Sequence, residues 1–79
     1  MRIKRNERGF LRGDFKDANG DECSIQESSA MERPLLWLGM DEGTHTRTGE
    51  CLARMHLDRR LAKQLIRHLQ RFVDTGRLR

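Results

Sequence analysis

Trp37, Arg54 and His56 put an aromatic ring, a guanidinium and an imidazole into one short chain, and their spacing decides whether they can act together. Arginine offers a planar fork for phosphate or carboxylate, tryptophan a stacking surface, and histidine a donor near neutral pH. Three segments, ECSIQES (Glu22–Ser28), LLWLGM (Leu35–Met40) and CLARMHLD (Cys51–Asp58), carry apolar residues at every second position and read as β-strands. A strand turns alternate side chains to opposite faces of its sheet. With Cys23, Ile25, Leu36, Leu38, Met55 and Leu57 inward, the residues Ser24, Gln26, Ser28, Leu35, Trp37, Arg54 and His56 share the outer face. An arginine and a histidine two apart on one strand, beside a tryptophan on its neighbour, can clamp an anionic planar molecule. The plainer readings are that these are solvated strand residues, or that the face is buried against a second copy of the chain.

The rest of the chain must position that face. Phe10 to Asp17 is expected as a first strand with Leu11 and Phe15 inward, weakened by Gly13. Asn19-Gly20 then gives a hairpin signal, since both residues tolerate the positive φ of a tight turn. The acidic DANGDE segment does not match a calcium loop, because Gly20 stands fourth after Asp17 rather than at the sixth position of such a loop. Ser28 to Pro34 and Asp41 to Glu50 read as loops. Leu35 to Met40 is apolar on both faces, which predicts a central strand or an outer face that meets a partner. From Asp58 the period changes to 3.6: Leu61, Ala62, Leu65, Ile66, Leu69, Phe72 and Val73 fall within an arc of about 140°, and Arg59, Arg60, Lys63, Arg67 and Arg71 lie opposite. Asp58 is suited to cap this helix, expected over residues 58–75; Thr75-Gly76 stops it, and Leu78 can fold back on the apolar stripe. The expectation is a single α+β domain over residues 1–79. It comprises an antiparallel meander of three or four strands with one C-terminal amphipathic helix on one face, and residues 1–9 form a mobile basic lead-in or an edge segment.

A chain of 79 residues with 35% hydrophobic and 35% charged residues and mean hydropathy -0.83 has one modest core, which makes a homo-oligomer a sensible expectation. No run reaches the roughly 18 apolar residues of a membrane helix, and no signal segment is recognised, so a soluble protein that stays in the compartment of its synthesis is expected. Cys23 and Cys51 are too few for a disulfide framework and are expected as reduced core thiols. Charge is divided: residues 1–12 carry five bases and one acid, residues 13–50 three bases and nine acids, and residues 51–79 eight bases and two acids. Arg59, Arg60, Lys63, Arg67 and Arg71 are therefore candidates for binding a polyanion, although a charged outer face is ordinary for a surface helix. Nucleic-acid-binding signatures of the helix-turn-helix, zinc-finger, KH and RRM kinds are not seen. Phosphate-loop, nucleophile-elbow and H-E-x-x-H motifs are likewise not found. Cys51 and His56, five apart on one strand, face opposite ways, which argues against a thiolate–imidazole pair. No enzyme, catalytic residue, cofactor or metal site is expected.

G-x-x-CSIQESS (Gly20 to Ser29), WLG (Trp37–Gly39), RMHL (Arg54–Leu57) and FVDTGRL (Phe72–Leu78) together resemble a family of short uncharacterised accessory proteins encoded by tailed bacteriophages and prophages, over roughly residues 15–78. The resemblance implies a phage accessory protein acting against bacterial defence in the host cytoplasm. In one form it resembles sponges that sequester a nucleotide-derived immune signal. Trp37 would then stack on a base, Arg54, His56 and Arg33 would hold phosphates, and Ser24, Gln26 and Ser28 would read polar edges. In the other it resembles anti-CRISPR-like inhibitors, binding a host defence protein or nucleic acid through the basic helix or the acidic middle segment.

Overall fold

The DANGDE segment closes as its Asn19-Gly20 pair requires: Gly20 has φ 85° and donates its N–H to the Asp17 carbonyl at 3.0 Å. That turn joins the two longest strands of the chain. In the computed structural model, which describes residues 1–28, 32–42, 44–45, 51–52 and 54–79, the strands are β1 (Ile3–Arg5), β2 (Leu11–Lys16), β3 (Glu22–Glu27), β4 (Leu36–Met40), β5 (Thr44–His45) and β6 (Cys51–Leu52). The first four form one antiparallel sheet in the order β1-β2-β3-β4, while β5 pairs with β6 alone. One helix, α1 (Arg59–Thr75), follows and packs on one sheet face, which gives the expected small α+β fold. Among the described residues no helix is long and apolar enough to cross a membrane.

The core lies between sheet and helix. Ile3, Leu11, Phe15, Cys23 and Ile25 from the sheet meet Leu65 of α1 and Leu78 beyond it, with Met1, Leu36, Met40, Met55 and Leu61 packed at the margin. The phase of β2 and β3 is as expected, and Cys23 is a buried free thiol whose ionisation burial pushes up. The side chain of Cys51 lies outside the described residues. Gly13 is there because the inner face is crowded: a Cβ at this position would stand 2.7 Å from Ile3 Cδ1 and 3.0 Å from Met1 Sδ. The capping of α1 also follows the sequence, with Asp58 Oδ1 accepting from Leu61 N–H at 2.9 Å and Gly76 in the left-handed region at φ 76°. Leu78 folds back as expected, and Glu27 fastens it by accepting from its N–H and from the Arg77 guanidinium.

Of the two expectations for the N-terminal segment, the edge segment holds and the mobile lead-in does not: Ile3–Arg5 is the edge strand beside β2, in the register Ile3↔Gly13 and Arg5↔Leu11, and the Met1 amino group donates to Gln64 Oε1 of the helix. Three further expectations are corrected. Segment 51–58 is not one strand: β6 ends at Leu52, and residues 54–58 run without strand pairing to the helix cap. β4 is not central but the edge of its sheet. The seven-residue helix stripe is not all buried. Leu65 is; Leu61, Ala62 and Phe72 are half-buried; Ile66 (64% exposed), Val73 (76%) and Leu69 face solvent.

Candidate functional site

Strand register builds the outer sheet face as rows. Lys4, Arg12, Gln26 and Trp37 stand side by side across the four strands, and Asp14, Ser24 and Gly39 form the next row. Of the predicted sheet-face residues the structure thus brings together Ser24, Gln26 and Trp37, the ring of Trp37 being 68% exposed. Gly39 leaves its row open beside the indole, and Ser24, Trp37, Leu38, Gly39 and Met40 line a cleft of about 140 Å³ there.

Lys4 and Lys16 also stand on this face, Lys16 beside Glu22, but the cation next to Ser24 and Gln26 is Arg12, and it is occupied. Its Nε donates to Asp14 Oδ1 at 2.9 Å, Nη1 to Gln26 Oε1 at 3.0 Å, and Nη2 to Asp41 Oδ2 at 3.0 Å. Ser24 Oγ donates to the same Asp41 carboxylate at 2.7 Å. Two carboxylates around one guanidinium leave the cluster with a net negative charge, which disfavours an anion. Arg12, Asp14 and Asp41 were missed by the sequence reading, although the alternation that puts Leu11 and Phe15 inward puts Arg12 and Asp14 outward.

Arg54 and His56 do not join Trp37. The stretch 54–58 is pinned at the β2–β3 turn, where His56 N–H donates to Asp17 Oδ2 at 2.9 Å, the His56 carbonyl accepts from Ala18 N–H at 2.7 Å, and the ring Nδ1 stands 3.4 Å from Asn19 Oδ1. Trp37 is opposite Gln26, four residues along β3 from the end of that turn, about 13 Å away at the rise of a strand. The expected clamp of Trp37 with Arg54 and His56 is therefore not assembled, because the strand that was to carry the two polar residues does not enter the sheet. Arg33 is exposed in the loop before β4, and Ser28 lies at the far end of β3, where its N–H donates to the Leu35 carbonyl.

Asp17 organises the turn rather than a ligand site. Its carboxylate accepts from the backbone N–H groups of Asn19, Asp21 and His56. The His56 N–H is the largest influence holding its ionisation below the usual carboxylate range, and it prevails with the Asp21 and Asn19 bonds over the opposing effect of burial.

The helix supplies a different arrangement. Arg59, Arg60, Lys63, Arg67 and Arg71 are all exposed along α1, and none forms an ion pair among the described residues, whereas Arg12, Lys16 and Arg77 each meet a carboxylate. The two acids nearest this face are engaged elsewhere, Asp58 with Leu61 N–H and Asp74 with Gln70. Arg59 and Arg60 stand in the first helical turn, where the helix dipole disfavours cations. Folding alone gives no reason for them.

At the C-terminal half of the helix, Arg67, His68 and Arg71 meet Ile3, Leu78 and Arg79 around a groove of about 410 Å³. Three arginines border it, and no acidic side chain is among the described residues that line it. His68 is held below the usual histidine range by burial first, then by the N-terminal ammonium and Arg67, which leaves it neutral at pH 7. Arg79 and His68 were not anticipated; the sequence offers no periodic signal that brings residue 79 beside residues 67–71. Among the described residues no group of three His, Cys, Asp or Glu side chains is placed to hold a metal ion. The chain matches no family model, no curated protein and no solved structure.

Proposed function

We propose that this protein is a non-catalytic accessory protein that works by binding a phosphate-bearing partner along the basic face of α1, and that the partner best matched is nucleic acid. The observation that carries this is the set of five exposed cations along one helix face, none of which has a carboxylate partner among the described residues. A 17-residue helix is about 25 Å long, enough to follow several phosphates of one strand. The setting is the one its resemblance to phage accessory proteins implies, interference with a host defence.

Sequestration of a nucleotide-derived immune signal is the second reading. The groove between Arg67, Arg71 and Arg79 supports it, since its arginines can fork onto phosphate. It does not need the sheet-face clamp.

Fluorescence anisotropy separates the readings. Labelled single- and double-stranded oligonucleotides should bind the native chain, and the triple variant Lys63→Glu, Arg67→Glu, Arg71→Glu, which leaves the apolar stripe intact, should bind at least tenfold more weakly. Native mass spectrometry of protein from phage-infected cells should then show no retained mononucleotide or cyclic nucleotide. A retained nucleotide released intact, and lost in Arg79→Ala, would move the function to the groove. Full oligonucleotide binding by the triple variant would reduce the basic stripe to a solubility feature.

A further inference from the structure

We propose that the open edge of β4 is a homodimer interface, in which a second copy of the chain pairs antiparallel to it about a two-fold axis through Leu38. Ser28 N–H donates to the Leu35 carbonyl and Asp41 N–H to the Glu22 carbonyl, which fixes the alternation of the strand. Leu35, Trp37, Gly39 and Asp41 direct their backbone polar groups at β3, and those of Leu36, Leu38 and Met40 point away from it. Among the described residues nothing pairs with these three. An edge so apolar, with no charge and no proline between Leu35 and Met40, is one that soluble chains do not leave bare.

The occupant follows from self-complementarity. With Leu38 on the axis, Leu36 of one copy meets Met40 of the other and Leu38 meets Leu38, which satisfies all three residues with about six backbone hydrogen bonds. In the same register Trp37 falls opposite Gly39 of the second copy on the outer face, in a non-hydrogen-bonded pair where side chains come closest. The exposed ring of each copy covers the glycine gap of the other. One charge pair agrees: Arg33, which follows Glu32 before the strand, comes near Glu42 beyond the end of the strand in the other copy when the two pair antiparallel. A two-fold axis perpendicular to the sheet also puts both helices on the same side. Ile66, Leu69 and Val73 are exposed on the helix flank away from Gln64 and His68, which border β1. The interface uses none of the basic helix residues and stands or falls apart from the polyanion reading.

Sedimentation of the purified chain should give twice the 9.3 kDa monomer mass, and hydrogen exchange should show the Leu36, Leu38 and Met40 amides protected. Arg33→Glu, at an exposed loop position, should weaken association at least tenfold, and the double variant Arg33→Glu, Glu42→Arg should restore it. Trp37→Ala should give a folded monomer by circular dichroism. A native chain that stays at 9.3 kDa at its highest attainable concentration overturns the proposal. So does a dimer in which the three amides exchange freely, or one indifferent to both Arg33→Glu and Trp37→Ala.

Discussion

Two carboxylates do structural work that their neighbours in sequence do not reveal. Asp17 ties three backbone N–H groups from two segments together. Glu27 holds Leu11, Arg77 and Leu78 to one point: Oε2 accepts from Arg77 Nε at 2.7 Å and from Leu78 N–H at 3.3 Å, and Oε1 from Leu11 N–H at 3.3 Å. Burial alone would push the Glu27 ionisation up, but the bonds from Arg77, Leu78 and Leu11 outweigh it and the carboxyl sits low. Both groups are therefore depressed in the folded chain. Their stabilisation is complete above the unfolded values of about 4 and is lost as pH falls through the lower folded values, because the unfolded chain takes up protons first. Glu27→Gln should cost about 2 kcal/mol at pH 7, the scale of hydrogen bonds to a charged group, and almost nothing relative to the native chain at pH 2. Melting temperatures of both proteins at the two pH values check this. An equal gap at both would show that shape rather than charge matters at residue 27. Asp17→Ala should also flatten the acid limb of the native stability curve.

At the scale of elements, α1 was legible almost to the residue because its signals are local: a capping aspartate, a 3.6 period and a glycine stop. The meander through β2 and β3 was legible too, from alternation and one turn dipeptide. What failed was neighbourhood, which strand phase does not encode. β4 looked central because it is apolar on both faces, and an edge strand that meets a partner has the same pattern. Residues 54–58 looked like a strand because Met55 packs against the core from an extended stretch, yet their backbone partners are an aspartate and a turn rather than a neighbouring strand. The 140° helix stripe was read as one buried face, whereas the sheet covers only the side that holds Leu65. The distinction predicts opposite outcomes for adjacent residues. Leu65→Asp places an unpaired charge in the core between sheet and helix and should unfold the domain. Ile66→Asp, at a position 64% exposed, should shift stability by roughly 0.5 kcal/mol or less. Circular dichroism melts of the two variants decide it, and similar losses in both would mean that the whole stripe is covered in the folded monomer.

For the molecule as a whole, folding brings the two termini together, while Lys4 and Arg12 of the basic first block lie on the outer sheet face. The basic start of the chain lies beside the basic helix, since Met1 reaches Gln64 and Arg79 Nη1 donates to the Ile3 carbonyl. Asp14 and Asp41 of the acidic middle block lie on the outer sheet face, closing on Arg12. A polyanion should therefore be counted by the helix side alone, and the dependence of affinity on salt does the counting. Each phosphate contact neutralised contributes about 0.9 to the slope of log affinity against log salt on a duplex. Changing Lys63, Arg67 and Arg71 together to alanine should make that slope shallower by about 2 to 3, and Lys4→Ala by less than about 1. Arg12→Ala should leave it unchanged, because Arg12 already spends its charge on two carboxylates. A slope that responds to Arg12→Ala and ignores the helix variant would put the partner on the sheet face, beside Trp37, and would return the function to the surface where the sequence first placed it.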